Sequence, residues 1–123
     1  MAANSCEILA ERECAPCAGR GEVLDANERD ALHAQLGGGW AVVKGHHLEK
    51  EFAFSDFAAA LAFTNRVGRI SERQGHHPDI CLGWGRAKVQ IWTQEVDGLT
   101  EADFVLAAKI ENTYNEVAAG DAR

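Results

Sequence analysis

The spacing of apolar residues along this chain changes period several times, and each change marks the edge of an element. Asp25-Ala26-Asn27-Glu28 opens a first helix. Asp25 can take up a free amide of the first turn, and Glu28 stands three residues on, as a capping box requires. Ala31, Leu32 and Leu36 give that helix a modest apolar stripe, and Gly37-Gly38-Gly39 ends it. Trp40 to Val43 is a short β-prone run, followed by a turn at Gly45-His46-His47. From Leu48 to Phe54 the period is two: Leu48, Lys50, Phe52 and Phe54 share one face, and Glu49, Glu51 and Ala53 the other. Together these runs predict a β-hairpin.

Ser55 is expected to cap a long helix that runs to about Gln74 and is closed by Gly75. Phe57, Leu61, Phe63, Val67 and Ile70 recur near three-to-four spacing. Ala58, Ala59, Ala60, Ala62 and Gly68 keep the other faces slim, which would suit a subunit contact. His76-His77-Pro78 reads as a loop, because the residue before proline avoids helical geometry. Ile80, Leu82 and Trp84 alternate on one strand, Gly85-Arg86 turns, and Ala87, Val89, Ile91 and Thr93 alternate on the next. Thr100 caps a last helix, with Asp103 three residues later. In that helix Phe104, Ala107, Ala108 and Glu111 track one face, and Leu106, Ile110 and Val117 another.

The predicted order is α-β-β-α-β-β-α. Hairpins joined by helices favour an α+β fold: a four-stranded antiparallel sheet with three helices on one face. The other face and the edge strands would need cover, which points to an oligomer. Residues 1–23 read as an irregular N-terminal arm, 24–118 as the folded domain and 119–123 as a tail.

With 123 residues, 46% of them hydrophobic, the chain can bury a single core. Its apolar runs are far shorter than the roughly 20 residues that span a bilayer. The first ten residues lack the cationic start and apolar stretch of a signal peptide, so a cytoplasmic protein is expected. A net charge of −7 with no lysine/arginine run disfavours nucleic acid as a partner. Cys14-Ala15-Pro16-Cys17 is a CxxC, but no second pair of ligands at similar spacing completes a zinc site. Cys6, His33 or a histidine of another subunit could do so. A redox role would need a βαβ context that the pattern lacks. The segment is expected to be inert or loosely ordered, and no metal is expected.

Chemistry is most plausible at His76 and His77. Neighbouring side chains in an extended segment point to opposite sides, so one imidazole can face a pocket while the other supports it. Glu72 lies four residues before His76 and could orient a ring; Pro78 stiffens the loop. Two solvent-exposed loop histidines would explain the pattern equally well. His46-His47 reads as a pair of surface turn residues. Trp84 and Trp92 read as core or interface aromatics on which a planar ligand could stack.

From Glu72 through His76-His77-Pro78 to Trp84, the chain resembles the pterin-4a-carbinolamine dehydratase family. That family's signature is a Glu or similar residue, three residues, His-His-Pro, an aromatic six residues after the proline, a histidine ten residues on, then an aspartate. The stretches Gly75–Glu111 and Glu51–Val67 also resemble bacterial members, and the likeness spans roughly residues 14 to 115. It implies a four-stranded antiparallel sheet with three helices, assembled as a dimer or tetramer. It implies dehydration of a 4a-hydroxytetrahydropterin to the quinonoid dihydropterin by three histidines, without metal or cofactor. Glu72, Pro78 and Trp84 would then line the substrate site. Losing the 4a-hydroxyl as water needs a proton donor at that oxygen and a base at a ring nitrogen, and histidine suits both.

The chain departs from the family at Gln94, which stands where the third histidine is expected. Glutamine can hydrogen-bond but cannot shuttle a proton. Losing one acid/base group typically lowers a rate about 10²–10⁴-fold. The resemblance also implies an alternative. Some family members serve as protein-binding cofactors, and dehydratase-like proteins encoded beside carboxysome genes resemble assembly factors for Rubisco. The expected partner is thus a pterin or a protein client.

Overall fold

The computed structural model describes residues 9–11 and 22–121. The elements are α1 (Ala26–Leu36), β1 (Ala41–Val43), β2 (His47–Ala53), α2 (Phe57–Gln74), β3 (Asp79–Gly83), β4 (Arg86–Ile91) and α3 (Glu101–Asp121). The strands form one antiparallel sheet in the order β1-β2-β4-β3, and the three helices share a single core with one of its faces. The predicted α+β order and sheet are both present.

Local chemistry explains the boundaries. The Glu28 amide donates to Asp25 Oδ1 at 2.8 Å, and the Asp25 amide donates to Glu28 Oε1 at 3.0 Å, which completes the capping box of α1. Lys44 and Gly45 take φ of 55° and 66°, the left-handed pair that a tight hairpin turn demands. At α2 the sequence reading needs correction: Asp56, not Ser55, is the cap, and its Oδ1 accepts from the Ala59 amide at 2.8 Å. Asp56 keeps the extended backbone of a cap and the helix begins at Phe57, so Ser55 stands one residue before the cap position. Gly75, at φ 67° and ψ 28°, closes the helix as expected.

The buried face of α2 is Ala60, Phe63, Val67 and Ser71, while Phe57 and Leu61 remain 43% and 40% exposed. At about 100° per residue, Leu61 lies about 200° from Phe63, so the two cannot share a face. β2 and β4 supply the sheet side of the core through Leu48, Phe52, Ala87, Val89 and Ile91. Phe52 packs against Phe63 at 4.9 Å and against Tyr114 at 4.8 Å between ring centroids. Lys50 also points inward, where Glu111 meets its ammonium at 2.8 and 3.0 Å and the Gly38 carbonyl accepts from it as well.

The far face of the sheet carries Glu49, Glu51, Lys88 and Gln90, with Gln90 donating to Glu49 at 2.8 Å. Water satisfies such a face, so the sheet itself offers a partner the outer edges of β1 and β3. Leu9 and Ala10, assigned from sequence to an irregular arm, are helical and buried, and Lys109 donates to the Ala10 carbonyl at 2.7 Å. α3 runs on to Asp121, into the stretch expected as a tail. Among the described residues no helix is long and apolar enough to cross a membrane.

Candidate active site

Gly75 turns the chain out of α2 in a left-handed conformation, and the amides of Gly75 and His76 both return to the Ser71 carbonyl. This double tie fixes where the next residues point. His76 goes inward and is only 6% exposed. Its Nε2 lies 2.6 Å from Oδ1 of Asp103, which is fully buried. The second carboxylate oxygen accepts from Thr93 Oγ1 and from the Thr100 amide, both at 2.8 Å. Since the Thr93 proton goes to Asp103, Thr100 must be the donor in the 2.9 Å contact between the two hydroxyls. A carboxylate only accepts, so Nε2 of His76 carries a proton and Nδ1 is the nitrogen with an exchangeable lone pair.

His77 points the other way, as alternation in an extended segment requires. It is exposed, and its Nε2 lies 2.5 Å from Oε2 of Glu72, which reaches forward from the last turns of α2. Both line a cavity of about 670 Å³ between α2 and β3, together with Thr64, Gly68, Pro78 and Ile80. Gln94 is exposed in the turn after β4, next to Thr93 and therefore beside the Asp103 network. The structure thus gathers Glu72, His77 and Pro78 at one opening, whereas His76 does not line it and turns instead to Asp103. Trp84 is not part of this group. It is 71% exposed in the β3–β4 turn, at the opposite end of β3 from His77. Seven positions of extended chain separate them, about 23 Å at about 3.3 Å per residue.

Over residues 22–113 the chain matches the family described as pterin 4 alpha carbinolamine dehydratase. It belongs to that family. A Rubrobacter xylanophilus protein provisionally named a pterin-4-alpha-carbinolamine dehydratase is 53% identical over 103 residues, covering 84% of this chain and 95% of its own. An Alkaliphilus metalliredigens protein with the same provisional name is 44% identical over 108 residues, covering 88% and 97%. Among solved structures, the transcriptional coactivator/pterin dehydratase of Brucella melitensis superposes with a TM-score of 0.70 at 26% identity, covering 76% of this chain and 99% of that one. A pterin dehydratase-like protein identified as a Rubisco assembly factor in the alpha-carboxysome superposes at 0.50 with 28% identity, covering 58% and 82%.

Within this pterin dehydratase-type chain, the residue that sequence reasoning undervalued is Asp103. Its spacing from Thr100 marked it as a helix-start residue, and it does take the Thr100 amide in that role. The same carboxylate also grips His76, a contact across the core that no local spacing shows. The aspartate that closes the family signature was the available signal. The Cys14–Cys17 motif and Cys6 lie outside the described residues. Among the described residues, no group of three or more His, Cys, Asp or Glu side chains is arranged to hold a metal ion.

Proposed function

We propose that the chain dehydrates a 4a-hydroxytetrahydropterin to the quinonoid dihydropterin, with a rate lowered by Gln94. The observation that carries this reading is the buried His76–Asp103 pair beside the exposed His77–Glu72 pair. In the reaction the C4a–O bond breaks with its electrons on oxygen, and a proton added there releases water. The N5 lone pair forms the C4a=N5 double bond, and the nitrogen's proton leaves to a base. Asp103 sets the tautomer of His76 and lies where it offsets positive charge on the ring. His77, at the cavity mouth, is placed to meet the substrate and exchange protons with water. Gln94 can hold the hydroxyl or a ring amide but moves no proton. Self-association through the strand edges, as a dimer or tetramer in the cytoplasm, belongs to the same reading.

Turnover of a 4a-hydroxytetrahydropterin by the purified chain tests it. His76→Ala should abolish whatever activity the parent has; a parent with none would sink the enzymatic reading. A second reading then stands: a non-catalytic binding or assembly protein on the same scaffold. Its support is the replacement at Gln94 together with the likeness to the Rubisco assembly factor. Under that reading, binding to a protein client such as Rubisco would be unaltered by Gln94→His, and would weaken with salt if it is chiefly electrostatic.

A further inference from the structure

Arg66, Arg69 and Arg73 stand three and four residues apart on α2, so they share one side of that helix. All three are exposed, and none belongs to the core. Arg69 and Arg73 line the cavity that holds Glu72, His77 and Pro78. With Arg66, Thr113 and Glu116 they also line a smaller hollow of about 270 Å³ between α2 and α3. The two concavities therefore share a pair of guanidinium groups set one helical turn apart.

The chain carries 19 acidic residues against 12 lysines and arginines, so arginines have no shortage of partners. Glu116 takes Arg66, at 3.7 Å, and Glu72 turns to His77, at 2.5 Å. Among the described residues no carboxylate forms an ion pair with Arg69 or Arg73. Like charges four residues apart on a helix repel, and here nothing in the chain offsets them. Arg73 stands in the last turn of α2, where the helix terminus favours a cation. That field fades within the turn, and Arg69 lies one turn further in. Gly68, beside Arg69, lines the same cavity. Glycine inside a helix lowers its stability, yet a Cβ at Gly68 would meet nothing within 4 Å, so packing does not require it. Its effect is to keep the cavity wall clear next to the arginines.

We propose that Arg69 and Arg73 form a phosphate site, and that the ligand of the Glu72–His77 cavity is a pterin whose side chain ends in a phosphate ester. Guanidinium groups present paired N–H donors in a fixed fork that matches phosphate oxygens, and two of them match its charge. With the pterin ring against His77 and Pro78, the side chain runs back along α2, past Gly68, and its phosphate meets both arginines. That phosphate also removes the repulsion between them. The pterin half of this assignment rests on the dehydratase reading; the phosphate half rests on the two arginines and the wall between them.

Isothermal titration of the full chain with two 7,8-dihydropterins tests this. One carries a trihydroxypropyl side chain, and the other the same side chain ending in a phosphate monoester. The phosphate should tighten binding by about tenfold or more at low salt, and the gain should shrink as salt rises. Arg69→Gln and Arg73→Gln should each lose most of that preference; both side chains are exposed, so neither change disturbs the core. Lys88→Gln removes the same charge from the far face of the sheet and should keep the preference. Equal affinity for the two pterins would overturn the phosphate site and leave the dehydratase reading standing. Binding of neither pterin would overturn that reading and this assignment together. A preference that survives intact in both arginine variants would place the phosphate elsewhere and overturn the assignment.

Discussion

His76 donates from Nε2 to Asp103 Oδ1 across 2.6 Å, tying a loop to a helix residue 27 positions further along the chain. A carboxylate removed from water needs its lone pairs directed at donors. Asp103 finds them in His76, Thr93 and Thr100. One buried group therefore orients the imidazole and pins both the end of the β4 segment and the start of α3. Gln94 follows Thr93 directly, so the same anchor fixes the backbone on its N-terminal side.

Asp103→Asn conserves size but turns one acceptor into a donor. Its amide nitrogen must then face either the His76 N–H or the threonine and backbone donors, and one buried contact fails whichever way it turns. Denaturant unfolding should show a loss of about 1–3 kcal/mol. The His76 tautomer should change in nitrogen-15 spectra. A variant of parental stability with Nε2 still protonated would remove Asp103 from its positioning role.

Glu72→Gln probes a pair of the opposite kind. Glu72 and His77 meet at 2.5 Å, but their side chains are 78% and 59% exposed. Solvent screens such a pair, so the change should move stability by less than about 1 kcal/mol. If Glu72 orients His77 for chemistry, turnover should nonetheless fall several-fold while the unfolding midpoint stays in place. Equal turnover in the two proteins would make the contact incidental.

The contrast between these two carboxylates shows what the sequence could and could not disclose. Glu72 was found because it stands on the helix that delivers the histidines, and local spacing reports such neighbours. Asp103 reaches His76 through the fold, so local spacing marked it only as a helix start, and the aspartate of the family signature was the one further signal. Lys50 broke an otherwise apolar face, and its explanation is a partner, Glu111, on the last helix. The α2 cap slipped from Ser55 to Asp56 because both residues are good caps and only backbone geometry chooses. The two hairpins, by contrast, were legible, but their joining through β2 and β4 into the order β1-β2-β4-β3 is set by long-range pairing that local spacing does not report.

Trp84 matches the family's aromatic position yet lies at the far end of β3 from His77. Phe54 donates its amide to the Gly85 carbonyl at 2.9 Å, which brings this turn to the start of α2, where Phe57 and Leu61 are also exposed. Trp84→Ala should change monomer stability by no more than about 0.5 kcal/mol, since the ring is mostly in solvent. It should shift sedimentation towards smaller species, because exposed aromatics of this kind anchor protein contacts. An unchanged particle size would mean that Trp84 serves neither association nor, at this distance, the histidine pair of its own chain.

Gln94→His restores a titratable ring beside the Asp103 network. No insertion separates Trp84 from Gln94, so the backbone position matches the family spacing, and Gln94 is exposed enough to accept an imidazole without repacking. If proton transfer at this position limits the parent, turnover of a 4a-hydroxytetrahydropterin should rise by about 10²-fold or more, within the range of one general acid/base group. The gain should depend on His76, so the double variant Gln94→His, His76→Ala should fall back to the level of His76→Ala alone. KM should change less than kcat, because glutamine can supply a hydrogen bond as well as histidine can and only the proton is new. Parental turnover already equal to that of an intact three-histidine relative, with no gain from histidine, would make Gln94 a tolerated variant. Silence in both proteins would leave the scaffold to its binding role.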